Sequence, residues 1–126
     1  MVPTDRRYSK EHEWILVADD VATVGITHFA QDQLGDIVFV ELPEVNAELA
    51  RDEVMGTIES VKAVSEIFAP ISGKILEVNQ DLESAPETVN SDPNGAGWSC
   101  RMTVGSPEEL EQLMDAAAYE QLTKDG

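Results

Sequence analysis

Lys62 is the residue whose type and position most favour chemistry. It follows Val61 near the middle of residues 54–70, a stretch rich in valine and isoleucine, and the other three lysines are distant in sequence. The ammonium group of a lysine at a turn is usually only a solvated charge. An exposed valine beside it is unusual at a turn, and it indicates a surface that another molecule binds.

A β-hairpin with Val61 and Lys62 at its apex is the element that must position this lysine. Small or apolar pairs are expected on one face of the hairpin, and the Glu59 and Thr57 pairs on the other. Val-Lys lacks the Asn-Gly or Asp-Gly signature of the tightest hairpins, whereas a type I turn accepts it. The predicted pairs are Ser60 with Ala63, Glu59 with Val64, Ile58 with Ser65, Thr57 with Glu66, Gly56 with Ile67 and Val54 with Ala69.

Short apolar segments separated by turn residues predict a small, mainly antiparallel β domain. Asp19-Asp20 is the expected turn between the first two strands. We expect one domain over residues 1–126, with its core in residues 8–104. The predicted strands are Glu13–Val17, Val21–Ile26, Ile37–Glu41, Val54–Glu59, Val64–Ala69, Gly73–Val78 and Gly97–Val104.

Two helices are predicted. A short one lies between Thr27 as N-cap and Gly35 as the C-terminal stop. A second is expected over about residues 106–122, because Ser106-Pro107-Glu108-Glu109 has the pattern of an N-cap, a first-turn proline and a capping-box glutamate. The apolar stripe that would pack this helix on the sheet consists of Leu110, Leu113, Met114 and Ala117.

Composition restricts the class of function. Twenty-five acidic residues face eight basic ones, for a formal net charge of −17. Such a surface disfavours nucleic acids and anionic lipids, although salt adaptation would produce the same composition. The one cysteine, Cys100, excludes an internal disulfide and is expected to be buried.

Other kinds of catalytic site find little support. His12 and His28 lie in different predicted elements and make no zinc pattern. The glutamates beside His12 are of a type that usually faces water. Gly95-Ala96-Gly97 precedes a strand, unlike a phosphate-binding loop, and Ser60 has no evident base. The sequence therefore offers no persuasive enzyme site, and we expect no metal.

Several motifs occur together in a characteristic order. They are Lys10-Glu11-His12-Glu13-Trp14, Val24-Gly25-Ile26-Thr27, Asp36-Ile37-Val38-Phe39-Val40-Glu41-Leu42-Pro43, Glu59-Ser60-Val61-Lys62-Ala63, Ala69-Pro70-Ile71-Ser72-Gly73, Glu77-Val78-Asn79 and Gly97-Trp98. In this order they resemble the glycine cleavage H-protein family over essentially the whole chain.

The resemblance implies a flattened barrel-sandwich hybrid of two antiparallel sheets, and a lipoate in amide linkage to Lys62 as N6-lipoyllysine. It implies a carrier and not a catalyst, because the cofactor does the chemistry while the protein supplies reach and shielding. Glu13 and Glu66 would contact the loaded arm in a surface cleft, or they are ordinary surface acids. The residues implied in recognition of the lysine turn are Glu59, Ser60, Val61 and Ala63.

The resemblance also implies partners. They are a pyridoxal-phosphate glycine decarboxylase (P protein), a tetrahydrofolate-dependent aminomethyltransferase (T protein), a dihydrolipoyl dehydrogenase (L protein) and a lipoate ligase or lipoyltransferase. We expect a monomer that binds neither nucleic acid nor membrane. The N-terminus has neither a signal-peptide nor a transit-peptide pattern, which favours the bacterial cytoplasm, or the mitochondrial matrix if a transit peptide has been removed.

Three alternatives stay open at this point. A biotin carrier usually has methionines beside its lysine, where this chain has Val61 and Ala63. A lipoyl domain of a 2-oxo acid dehydrogenase usually has an aspartate before the lysine. The third alternative is an H-like protein that relays lipoate to other proteins, or a binding module that is never modified.

Overall fold

Two antiparallel sheets make up most of the computed structural model, which describes residues 3–124. This confirms the mainly β class. One sheet has the strand order β1-β2-β3-β9-β8-β5, and the other has the order β4-β6-β7. In chain order the strands are β1 Arg7–Tyr8, β2 Glu13–Ala18, β3 Val21–Ile26, β4 Ile37–Glu41, β5 Glu48–Leu49, β6 Val54–Ser60, β7 Val64–Phe68, β8 Gly73–Val78 and β9 Cys100–Thr103.

The helices are short and lie between strands or after the last strand. They are α1 His28–Leu34, α2 Asp81–Ser84, α3 Thr88–Ser91, a 3-10 helix at Pro107–Gln112, and α4 Ala116–Lys124. No helix among the described residues is long and apolar enough to cross a membrane. Strands β1 and β5 and helices α2 and α3 were not predicted, because each has only two to four residues and so leaves no periodic pattern.

The core lies between the inner faces of the two sheets. Ile15 and Val24 come from the larger sheet, and Val40 and Ile58 come from the smaller one. Cys100 also belongs to this cluster and is fully buried, as expected. Burial of these alternate positions in both sheets is the main stabilising contribution of the β segments.

The predicted turn at Asp19-Asp20 and the predicted ends of helix α1 are confirmed. Asp19 and Asp20 have φ values of 52° and 65°, and Ala18 pairs with Val21 across them. Thr27 caps α1, since its hydroxyl accepts a hydrogen bond from the Ala30 N–H at 3.2 Å. Gly35 ends the helix at φ 84°, a left-handed value that glycine tolerates without strain.

The predicted single helix over residues 106–122 is wrong. Leu113 is extended, and Met114 exchanges two backbone hydrogen bonds of 2.8 Å with Tyr8, so the segment divides into the 3-10 helix and α4. The Ser106 side chain caps nothing. Glu109 instead binds Ser72, where its carboxylate accepts hydrogen bonds from the backbone N–H at 2.7 Å and from the hydroxyl at 2.9 Å.

The residues that pack the C-terminal helix also differ from the predicted stripe. Ala116 and Tyr119 are buried, while Ala117 is exposed. The Tyr119 ring stacks on Tyr8 with centroids 4.6 Å apart, and Trp14 completes this second apolar cluster. The predicted last strand is shortened to β9, because the Gly97 and Trp98 N–H groups donate to the Asp92 and Gly95 carbonyls of the preceding loop.

Candidate functional site

The hairpin formed by β6 and β7 has the predicted register near its tip. Glu59 pairs with Val64, Thr57 with Glu66, and Gly56 with Ile67. The predicted pairing of Val54 with Ala69 is wrong, because Val54 pairs with Phe68 across a bulge. The extra residue is Met55, whose buried side chain contacts Cys100. A bulge lets Met55 and Gly56 both face the interior, which strict alternation does not allow.

The turn at Val61 and Lys62 is held by backbone and side-chain hydrogen bonds. The Ser60 N–H donates to the Ala63 carbonyl at 2.8 Å. The Ser60 hydroxyl oxygen accepts from the N–H groups of Ala63 at 3.0 Å and Lys62 at 3.3 Å. Neither turn residue has a positive φ, as a type I turn requires. Ser60 and Ala63 therefore hold the apex from within the hairpin.

A second support comes from the loop between α1 and β4. The Val61 N–H donates to the Asp36 carbonyl at 3.0 Å. The Lys62 stem passes over Gly35, with Cε only 3.4 Å from the place that a β-carbon at Gly35 would occupy. Glycine at this position therefore allows the backbone conformation that ends α1, and it leaves room for the lysine side chain.

Lys62 itself is exposed, and Val61 has 70% of its surface exposed. Within residues 3–124 no carboxylate forms an ion pair with the Lys62 ammonium. The primary amine is therefore presented to solvent on a hairpin whose backbone is fixed.

Exposed apolar side chains surround this tip. A bulge in β4 places Ile37 and Val40 in the core and leaves Val38 and Phe39 outside, 53% and 50% exposed. Phe39 pairs with Glu59, whose other neighbour, Val64, is also exposed. Sequence reasoning missed Val38 and Phe39. The pattern that could have revealed them is the run of four apolar residues at 37–40. Such a run is too long for a strand with only one face toward the core.

Glu13 is buried, so the expectation that it faces water is wrong. Only 2% of its surface is exposed. Its carboxylate accepts hydrogen bonds from the Ser9 hydroxyl at 2.5 Å and from the Phe68 N–H at 3.1 Å. Burial raises the pKa of Glu13 to about 7, although both hydrogen bonds favour the charged form. Glu13 also lines a cavity of about 330 Å³ with Arg51 and Pro70.

Glu66 lies on the same strand that Glu13 reaches. It is exposed and pairs with Thr57, which places it on the outer face with Val64. Phe68, the hydrogen-bond donor to Glu13, is two residues further along. Strand β7 therefore joins the lysine turn at one end to Glu13 at the other. Glu59 and Ala63 flank the turn, the first half-buried and the second exposed.

Fold and site together define a small β carrier domain that presents one lysine on a rigid hairpin. The family model of the glycine cleavage H-protein matches residues 6–126. The chain is 58% identical over 125 residues to the glycine cleavage system H protein of Symbiobacterium thermophilum, covering 99% of this chain and 98% of that protein. It is 52% identical over 124 residues to the H protein of Bacillus subtilis, covering 98% of each.

A solved structure agrees with these relatives. The crystal structure of a glycine cleavage system H protein from Mycobacterium marinum superposes with a TM-score of 0.89 at 40% identity, covering 95% of this chain and 97% of that one. The chain belongs to the glycine cleavage H-protein family. It is a non-catalytic carrier component of the glycine cleavage system, in a family that carries a covalent lipoyl-lysine and moves an aminomethyl group.

Proposed function

We propose that Lys62 is the residue that carries the lipoyl group. The proposal rests on the exposed amine at the apex of the β6–β7 hairpin, where Ser60 and Asp36 fix the backbone. The other three lysines have no comparable setting, since Lys10 precedes a buried strand, Lys74 lies within β8 and Lys124 is the last residue of α4. A rigid base makes the sweep of a tethered arm reproducible, which raises its effective concentration at a docked enzyme.

The residues present fit the attached group. Amide formation at Lys62 removes the ammonium charge. The neutral arm is then compatible with the apolar side chains of Val61, Val64 and Phe39, which are exposed around its base. The lipoyl dithiolane supplies the redox and group-transfer chemistry, whereas this chain supplies reach, orientation and protection from water.

The loaded arm is proposed to leave the course over Gly35 that the unmodified Lys62 stem takes, and to lie along β7 toward Glu66 and Glu13. From Val64 to Phe68 the strand covers about 13 Å at the usual rise per residue, which suits a lysine stem extended by an octanoyl-derived group. The aminomethyl load is cationic, so it would be stabilised by the Glu66 carboxylate and by Glu13, whose charged form a nearby cation favours although burial raises its pKa to about 7. In Glu13→Gln and Glu66→Gln the loaded arm should hydrolyse faster than in the wild type. An unchanged lifetime in either variant removes that glutamate from the proposal.

The partner enzymes are proposed to recognise the turn itself. Glu59, Ser60, Val61 and Ala63 surround the amine that the lipoylating enzyme must reach, and they later surround the base of the arm that the other three enzymes meet. The proposed partners are the glycine decarboxylase, the aminomethyltransferase, the dihydrolipoyl dehydrogenase, and a lipoate ligase or lipoyltransferase. We further propose a monomer, handed from enzyme to enzyme, that works in the bacterial cytoplasm because the relatives compared are bacterial.

Intact-mass measurement after incubation with lipoate, ATP and a lipoate ligase tests the attachment site. The wild-type chain should gain one lipoyl increment, and Lys62→Arg should gain none. Lys74→Arg is the matched control and should be modified like the wild type. A lipoyl increment retained by Lys62→Arg would overturn the proposal. Glycine–bicarbonate exchange with the other three components then separates glycine cleavage from lipoate relay.

A further inference from the structure

Asn90 holds the loop that supports the lysine turn, although it lies far from that turn in the sequence. Its Oδ1 accepts a hydrogen bond from the Ile37 N–H at 2.8 Å. Its Nδ2 donates to the Gly35 carbonyl at 2.9 Å and to Oε1 of Gln31 at 2.8 Å. One side chain thus binds the backbone on both sides of Asp36 and the helix that precedes it.

The clamped residues are those that contact the turn. Asp36, between the two backbone groups that Asn90 binds, accepts the hydrogen bond from the Val61 N–H. Gly35 is the residue over which the Lys62 stem passes. The path from Asn90 to the lysine therefore consists of one side chain, three consecutive backbone residues and one further hydrogen bond.

Asn90 is itself fixed by the core. Val89, the preceding residue of α3, is 1% exposed and belongs to the main apolar cluster. Just after α3, the Pro93 carbonyl accepts a hydrogen bond from the Trp14 indole N–H at 2.9 Å. An anchor of this kind cannot follow a displaced loop, so it sets the position of the loop.

We propose that Asn90 is a positioning residue for the modified lysine. It keeps the Gly35–Ile37 backbone, and through Asp36 the Val61–Lys62 turn, in one arrangement. The ligase and the partner enzymes meet the lysine amine or its acyl product at a defined place. Small displacements of a reacting group reduce rates strongly even where the fold survives. This inference rests on the proposed role of Lys62, but its first test does not.

Amide hydrogen exchange in the unmodified protein measures the clamp directly. In Asn90→Ala the amides of Ile37 and Val61 should exchange about tenfold faster than in the wild type, because local opening no longer breaks the Asn90 bonds. Asn79→Ala is the matched control. It removes the same type of side chain, whose Nδ2 donates to the Ala96 and Trp98 carbonyls at 2.8 Å, neither of which belongs to the α1–β4 loop. Its Ile37 and Val61 amides should exchange as in the wild type.

Lipoylation kinetics provide the functional measurement. Well below both melting temperatures, kcat/KM for ligation to Lys62 should fall about fivefold in Asn90→Ala, and remain near the wild-type value in Asn79→Ala. If Asn90→Ala does not fold, Asn90→Asp keeps the acceptor for Ile37 and loses the donor for Gly35. Its second carboxylate oxygen faces the Gly35 carbonyl and Gln31 Oε1 without donating to them, so exchange and kcat/KM should change in the same directions.

The outcomes separate the two proposals. Equal exchange at Val61 in the Asn90 and Asn79 variants would overturn the positioning role, and so would equal kcat/KM. A wild-type chain that accepts no lipoate would instead refute the attachment site, while the exchange result would still decide whether Asn90 fixes the turn.

Discussion

The carboxylate of Glu13, on β2 of the larger sheet, accepts a hydrogen bond from the backbone N–H of Phe68 on β7 at 3.1 Å. Strand β7 is an edge of the smaller sheet, so its outward N–H groups lack a strand partner. A side chain from the opposite sheet supplies one here. Because the same strand leads back to Lys62, this contact fixes the far end of the hairpin that presents the lysine.

Glu13 should make the stability of the chain depend on pH. Burial raises its pKa from 4.5 to about 7, so the folded state holds a proton that the unfolded state releases between these values. The contribution is complete below pH 4.5 and is lost as the pH rises toward 7. Its size is on the order of 3 kcal/mol. Urea unfolding of wild type and Glu13→Gln across this range measures it, as a difference that falls with rising pH.

A constant difference between wild type and Glu13→Gln would mean that Glu13 does not hold a proton in the folded state.

The sequence predicted the parts of the fold that depend on local rules. Alternation in β3 and β9, the turn at Asp19-Asp20, and the Thr27 cap of α1 all follow from neighbouring residues. The C-terminal segment did not follow, because distant partners decide its shape. Glu109 serves Ser72 instead of capping its own helix.

The candidate site likewise has residues that the sequence predicts and residues that it does not. Lys62 and Val61 could be found from the hairpin pattern, since adjacent strands create the turn. The burial of Glu13 and the role of Asn90 depend on groups more than fifty residues away, Phe68 and Ile37 respectively. Sequence periodicity carries no information about such contacts. The bulges at Val38 and Met55 were missed because each breaks the alternation on which strand prediction relies.

Gly25→Ala should destabilise the chain through Trp14. A β-carbon at Gly25 would lie 2.6 Å from Cζ2 of the indole. Trp14 is 1% exposed, and its indole N–H is bound to Pro93, so the ring has little freedom to move. The expected loss is about 2 kcal/mol of unfolding free energy. In a Trp14→Phe background the smaller ring should reduce this loss, and an equal loss in both backgrounds would exclude the contact as its cause.

Val61→Ser should affect recognition without affecting stability. The side chain is exposed at the apex of the turn, so little apolar contact within the chain is lost. If partner enzymes bind this valine, kcat/KM for lipoylation should fall about tenfold, as for a central apolar contact of an interface. Val17→Ser changes an exposed valine at the far end of β2 and should leave the rate unchanged. Equal lipoylation rates in the two variants would mean that the lipoylating enzyme does not bind the Val61 side chain.

Ser60→Ala should loosen the lysine turn from within. Its hydroxyl oxygen accepts hydrogen bonds from the N–H groups of Lys62 and Ala63, and Ser60 is almost buried, so alanine leaves these donors without their partner. The expected loss is about 1 kcal/mol of unfolding free energy. Slower lipoylation should accompany it, because the amine is less well placed. Ser65→Ala, on the exposed part of β7, should change neither the urea midpoint nor the rate. A Ser60 variant lipoylated at the wild-type rate would show that the hydroxyl stabilises the turn without orienting the lysine.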